Sequence, residues 1–144
     1  HYLEDQFPSP TVVPKESRQK AKMWQFCEMI NSGIQPLQNI SVTQYLRGDL
    51  HLTDLQVQTW LSHWIRKGMT ALEKALQETA SDFCLQNSVT AADAFLVPQV
   101  FSARRFGVMP DEFPTILRIY NNCESLPAFA KAHPKMQPDF EESP

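Results

Sequence analysis

The stretch 89-VTAADAFLVPQVFSARRF-106 decides the fold of this chain. Thr90 and Asp93 stand three residues apart. That is the spacing of a capping box, in which a hydroxyl and an acid each satisfy a backbone N–H of the other's turn. Val89 and Ala94 bracket the box as a hydrophobic staple. Asp93 also meets the positive end of the helix dipole. From Ala94 to Val97 every residue is apolar, which predicts a helix surrounded by others rather than laid on a surface. Pro98 removes a backbone bond to the carbonyl of Ala94 and predicts a bend.

A buried helix needs partners, and the flanking sequence supplies them. Upstream, Met23, Phe26, Ile30, Ile34 and Leu37 recur at helical spacing in a segment that begins near Ser17. A second opens on a capping box, Thr53 and Gln56, and carries Val57, Leu61, Trp64, Ile65, Gly68, Leu72 and Leu76. Downstream, Phe113-Pro114 and Leu126-Pro127 place proline in a first helical turn, and the last helix stops before Pro134. The only β-branched run, Thr11 to Val13, is cut by Pro14. Residues 7–14 hold Pro8, Pro10 and Pro14 and read as a linker. The expectation is an all-α bundle of about five helices with one buried central helix.

Composition narrows the function. The chain has 144 residues, 42% hydrophobic and 20% charged, enough for one domain with a real core. A net charge of −3 argues against nucleic acid or an anionic membrane as partner. No apolar run approaches the roughly 18 residues of a membrane span, and the first ten residues lack a signal peptide's apolar core. Cys27, Cys84 and Cys123 are odd in number with no CxxC pair, so free thiols in a reducing cytoplasm are expected. His1, His51, His63 and His133 form no metal-ligand spacing, so no metal is expected. Trp24, Trp60 and Trp64 read as core or interface anchors.

No acid pair has catalytic spacing: Glu141 and Glu142 fall in the tail, and Asp111 and Glu112 at a helix start. Two places remain. Arg104 and Arg105 project about 100° apart on a helix, so at most one is expected to face a given pocket. A surface salt bridge is the ordinary fate of such a pair; a fixed cation for a carboxylate ligand is the alternative. The other place is 33-GIQPLQN-39. It reads as a bent helix whose amides cap their own loosened backbone. Alternatively, Gly33 permits a close approach while Gln35, Gln38, Asn39 and Ser41 offer donors and acceptors to a peptide-like ligand.

The segments INSGIQPLQNISV, TAADAFLVPQVFSARRF, FPTILRI, LPAFAKAHP and QPDF, in this order and spacing, resemble the C-terminal helical domain of zeta-class glutathione transferases. Within that class they are most similar to the maleylacetoacetate isomerases. The resemblance implies glutathione as cofactor, a small dicarboxylate or keto-acid substrate, a homodimer and a place in tyrosine and phenylalanine breakdown. The implied reaction is a cis-trans isomerisation through reversible addition of a thiolate to a conjugated double bond. Residue by residue, it implies that Gln35, Asn39 and Ser41 contact glutathione and that Arg105 holds the substrate carboxylate. Thr90 and Asp93 are structural, and Gln38 is given no role.

The resemblance also implies a division of the chain. Residues 1–14 are the end of an upstream thioredoxin-like domain with its linker, 15–135 the helical domain, and 136–144 an irregular tail. The thiol-activating serine belongs to the thioredoxin-like half, so these residues alone are expected to be inactive. Maleylpyruvate isomerisation or glutathione conjugation could share the motifs, and a non-catalytic interaction domain of the same superfamily is a further alternative. Two departures stand out: Gln86-Asn87 where the class has Gly-Asp or Gly-Asn, and a long segment 46–58.

Overall fold

The computed structural model describes residues 2–140. The expectations that concern His1, Glu141, Glu142 and the end of the tail lie outside the described residues. The chain forms α1 (Tyr2–Gln6), α2 (Ser17–Asn31), α3 (Ile40–Gly48), α4 (Asp54–Leu76), α5 (Ala91–Arg105), α6 (Pro114–Glu124) and α7 (Pro127–Ala132). Short 3-10 turns cover Gln35–Gln38, Pro110–Glu112 and Pro134–Met136. Among the described residues there is no strand, only two isolated bridges within the loop 80–88. The all-α class is as expected.

Each long helix starts where a side chain caps it. The Glu16 side chain accepts from the backbone N–H groups of Arg18 and Gln19, at 2.8 and 2.7 Å, and opens α2. Thr53 and Gln56 exchange their capping-box bonds at 2.8 and 3.3 Å and open α4. At α5, Asp93 accepts from Thr90 N–H at 2.8 Å. Helix α6 starts on Pro114, and its free N–H groups on Thr115 and Ile116 donate to Glu73 of α4, both at 2.9 Å. That carboxyl group is nearly buried. It is 42 residues away in sequence, so no local pattern could announce it.

Helices α2, α4, α5 and α6 enclose the core, with α2 packed most extensively on α5. Met23, Phe26, Ile30, Leu61, Ile65, Met69, Leu72, Leu96, Val100, Ile116 and Ile119 lie fully buried in it. Each such side chain contributes about 1.5–3 kcal/mol over leaving it exposed. Most of the apolar stripe read from the sequence is here, though Trp64 and Gly68 are only half-buried.

Two expectations need correction. The first helix does not run on to Leu37: α2 ends at Asn31, and a separate helix, α3, follows the 3-10 turn. Ile34 stays in the core without being helical, which is why the apolar spacing looked continuous. Secondly, α5 is not enclosed all round. Ala94, Pro98, Phe101 and Arg105 form one exposed stripe, at helical spacing, along its outer side. The buried positions are Ala92, Asp93, Leu96, Gln99, Val100 and Ala103. Residues 46–58, read as a long segment, divide into three parts. They are the end of α3, a five-residue turn at 49–53 and the start of α4, clipped by Arg47 Nε to Asp54 Oδ1 at 2.9 Å.

The Gln86-Asn87 departure has a local solution. Gln86 takes the left-handed conformation, φ 60°, that glycine adopts most freely. Its backbone bonds both ways across the loop, N–H to Thr79 O at 3.1 Å and O from Phe83 N–H at 2.9 Å.

Candidate functional site

The junction between α2 and α3 is built from polar residues with very different commitments. Gly33 sits where a Cβ would fall 2.5 Å from Met29 O. The close approach it permits is therefore that of the chain to the last turn of its own helix. Ile34 then packs on Gly68 of α4, where a Cβ would lie 2.4 Å from Ile34 Cγ1. Trp60 of α4 donates its indole N–H to Leu37 O at 3.0 Å. The junction is thus pinned to α4 on two sides.

Its amides divide into three kinds. Gln38 is spent on the scaffold: its Nε2 donates to Oε1 of the fully buried Gln99 at 3.0 Å. Asn39 caps α3, its Oδ1 accepting from Ser41 N–H at 3.0 Å and Ser41 Oγ–H at 2.9 Å. That leaves Asn39 an amide NH2 to donate and Ser41 an oxygen to accept. The side chain of Gln35, half-buried in the 3-10 turn, hydrogen-bonds to no other described residue. One amide supports the fold, one caps a helix, and one makes no side-chain hydrogen bond among the described residues.

Gln99 and Arg105 share α5, six residues apart, about 9 Å along its axis at 1.5 Å per residue. At its C-terminal end α5 opens on a cleft of about 570 Å³ lined by Phe101, Arg104, Arg105, Tyr120, His133 and Lys135. Both arginines line it, contrary to the expectation that only one would. Arg104 turns toward α6, where its guanidinium lies 4.6 Å from the Tyr120 ring centroid and Nη1 is 3.5 Å from the phenol oxygen. Arg105 is exposed and pairs with no acid among the described residues. The ordinary salt-bridge fate of such a pair is not what this structure shows. Burial pushes the Tyr120 phenol up, with Glu124 acting the same way and Arg104 against it, so the hydroxyl keeps its proton at neutral pH.

The sequence did not single out Tyr120, His133 or Lys135. They come from α6 and from the turn after α7, and only the fold brings them to α5. The single local signal was the His-Pro-Lys run that ends the last helix, which reads as a stop and nothing more.

Asp93 and the three cysteines belong to the scaffold. Asp93 is fully buried and saturated: Oδ1 accepts from Cys84 N–H at 2.8 Å, Oδ2 from Thr90 N–H at 2.8 Å and Thr90 Oγ–H at 3.1 Å. The three cysteines are free and buried. Burial pushes Cys27 up to about 11 and Cys123 to about 12, and Cys84 also well up. Thiols so held have almost no thiolate at neutral pH and are not nucleophiles. Among the described residues no cluster of His, Cys, Asp or Glu could hold a metal ion, and no helix is long and apolar enough to cross a membrane.

No protein-family model matches the chain. Individual proteins do. A probable maleylacetoacetate isomerase of Drosophila melanogaster is 44% identical over 139 residues, covering 96% of this chain and 59% of its own. Among solved structures, maleylacetoacetate isomerase from Anaeromyxobacter dehalogenans 2CP-1, crystallised with glutathione in its active site, superposes with a TM-score of 0.90. It is 36% identical and covers 96% of this chain and 62% of its own. A bacterial maleylpyruvate isomerase described as a zeta-class glutathione transferase gives a TM-score of 0.93. It is 31% identical over 97% of this chain and 67% of its own. The chain spans about three fifths of the length of the curated relatives it matches.

Proposed function

The chain belongs to the zeta-class glutathione transferase family, and on that premise we propose that it is the C-terminal helical domain of a glutathione-dependent maleylacetoacetate isomerase. The observation that carries this reading is the arginine cleft on α5, together with the uncommitted Gln35 amide on the junction that Gln99 ties to the same helix. The relatives support the substrate: the probable maleylacetoacetate isomerase of the fly and the maleylacetoacetate isomerase of the mouse are 44% and 40% identical to this chain. Residues 1–14 are then the end of a thioredoxin-like domain and its linker, and residues 15–135 the helical domain.

The residues present suit a peptide-like thiol at one edge. Gln35 offers both an acceptor and a donor, Asn39 its free NH2, and Ser41 its hydroxyl oxygen. That combination answers the two-sided needs of a tripeptide's amides and carboxylates. When bound, glutathione supplies the thiolate that makes the conjugated double bond temporarily single. Arg105 holds the substrate's carboxylate with its planar fork and fixes the chain of the keto acid for rotation. Its fixed charge also favours the negative charge that develops on the substrate during rotation, without reorganisation at the moment of reaction.

None of the three cysteines takes part, because burial holds them protonated. Thiol activation falls to the portion of the complete protein outside these residues, as the greater length of the relatives supports. The complete protein acts as a homodimer, with Gln35 reaching a glutathione bound at the subunit interface. Three free buried thiols support a reducing, cytoplasmic setting. A sister activity, maleylpyruvate isomerisation, is favoured by two solved structures of that name.

The test is an assay of the complete protein with maleylacetoacetate and maleylpyruvate side by side. Glutathione-dependent turnover, faster with maleylacetoacetate, is expected. Faster turnover of maleylpyruvate would shift the assignment to the sister activity, and no turnover of either would overturn it.

A further inference from the structure

Three basic side chains, Arg104, Arg105 and Lys135, line one cleft with no carboxyl group among them; Glu124, which acts on the Tyr120 phenol, lines the adjoining hollow instead. Elsewhere Lys22, Arg47 and Arg66 each face an acid. Like charges held together repel unless an anion joins them. Arg104 is held in place by its stacking on Tyr120, 4.6 Å from the ring centroid. It therefore presents a preorganised fork at one end of the cleft. Arg105, its neighbour, projects about 100° away around the helix and presents a second fork. His133 Nδ1 accepts from Lys135 N–H at 3.2 Å, so the neutral ring carries its proton on Nε2 and adds a donor. The His133 ring stands edge-on to Phe101 at 5.6 Å, and Phe101 and Tyr120 supply flat apolar wall to the same cleft.

We propose that this cleft is a two-ended dianion site, in which Arg105 holds one carboxylate of a small planar dicarboxylate and Arg104 with Lys135 holds the other. The inference rests on the reading of Arg105 as the carboxylate-holding residue. What it adds is the means of choosing dianions over monoanions, through residues to which nothing in that reading gives a role. A monoanion satisfies one fork and leaves Arg104 and Lys135 unpaired. A dianion satisfies both ends and lays its conjugated chain against the Phe101 and Tyr120 rings.

The test is calorimetric titration of the complete protein, without glutathione, with fumarate and with monomethyl fumarate. Fumarate is expected to bind about tenfold more tightly or better. Arg104→Gln should lower fumarate affinity about tenfold and leave the monoester unchanged, removing the preference. Lys135→Met should lower it several-fold, and Arg104→Lys, which keeps the charge but not the stacked fork, should fall between. Arg104 is exposed, so circular dichroism should show these variants folded. Equal binding of diacid and monoester, a ratio untouched by Arg104→Gln, sulfate competing as well as fumarate, or no binding would each overturn the proposal. The outcome is separable from the isomerase reading. An Arg104-dependent preference without keto-acid turnover by the complete protein defeats that reading and keeps this site. Turnover without the preference does the reverse.

Discussion

Two polar turns in this chain look alike in sequence and differ in what they leave undone. At the start of α5, Thr90 and Asp93 form a cap in which every Asp93 oxygen has a partner and no part of the residue reaches solvent. At the start of α3, Asn39 caps with one oxygen while its NH2 stays uncommitted, and the side chain of Gln35 nearby hydrogen-bonds to no described residue. The first turn is closed chemistry and therefore scaffold. The second has donors and acceptors to spare at half-buried or exposed positions. A polar cluster reads as a candidate site when its hydrogen-bonding capacity exceeds what the fold consumes.

Substitutions can break this comparison. Asp93→Ala strips a buried cap of bonds from Cys84 and Thr90. Chemical denaturation should show a loss of about 3 kcal/mol or more; a loss below 1 would mean the cap is not the keystone described. Gly68→Ala drives a methyl into Ile34 and loosens the junction from α4. A cost of about 1–3 kcal/mol is expected from overpacking, and a stabilised variant would show that the two elements are not in close contact. Asn39→Ala removes one exposed helix cap, worth about 1 kcal/mol. Gln35→Ala should change stability by less than about 0.5 kcal/mol, as surface substitutions do; a larger loss would make Gln35 scaffold after all.

Much of the scaffold was legible because helix caps are local. Thr53 with Gln56 and Thr90 with Asp93 announced two helix starts to the residue. Pro114 and Pro127 announced two more. Helix α3 was not legible, because Ile34 and Leu37 continued the apolar period of α2 across a break. The buried Glu73 beneath α6 and the Gln38–Gln99 pair were not legible either, since their partners lie 42 and 61 residues away. The candidate site was half legible. Gln35 and Arg105 emerged through the family resemblance, whereas Tyr120, His133 and Lys135 join the arginines only through the packing of α6 and the turn beyond α7.

The central claim is a division of labour, with Gln35 on the glutathione side and Arg105 on the substrate side. Steady-state isomerisation of maleylacetoacetate by the complete protein, varying each reactant against Gln35→Ala and Arg105→Ala, tests it most directly. The account predicts that Arg105→Ala raises KM for the keto acid about tenfold or more, the scale of one lost charge-assisted bond, and leaves KM for glutathione unchanged. Gln35→Ala should do the opposite, by a few-fold. Both variants moving the same constant, or neither moving any, would contradict it.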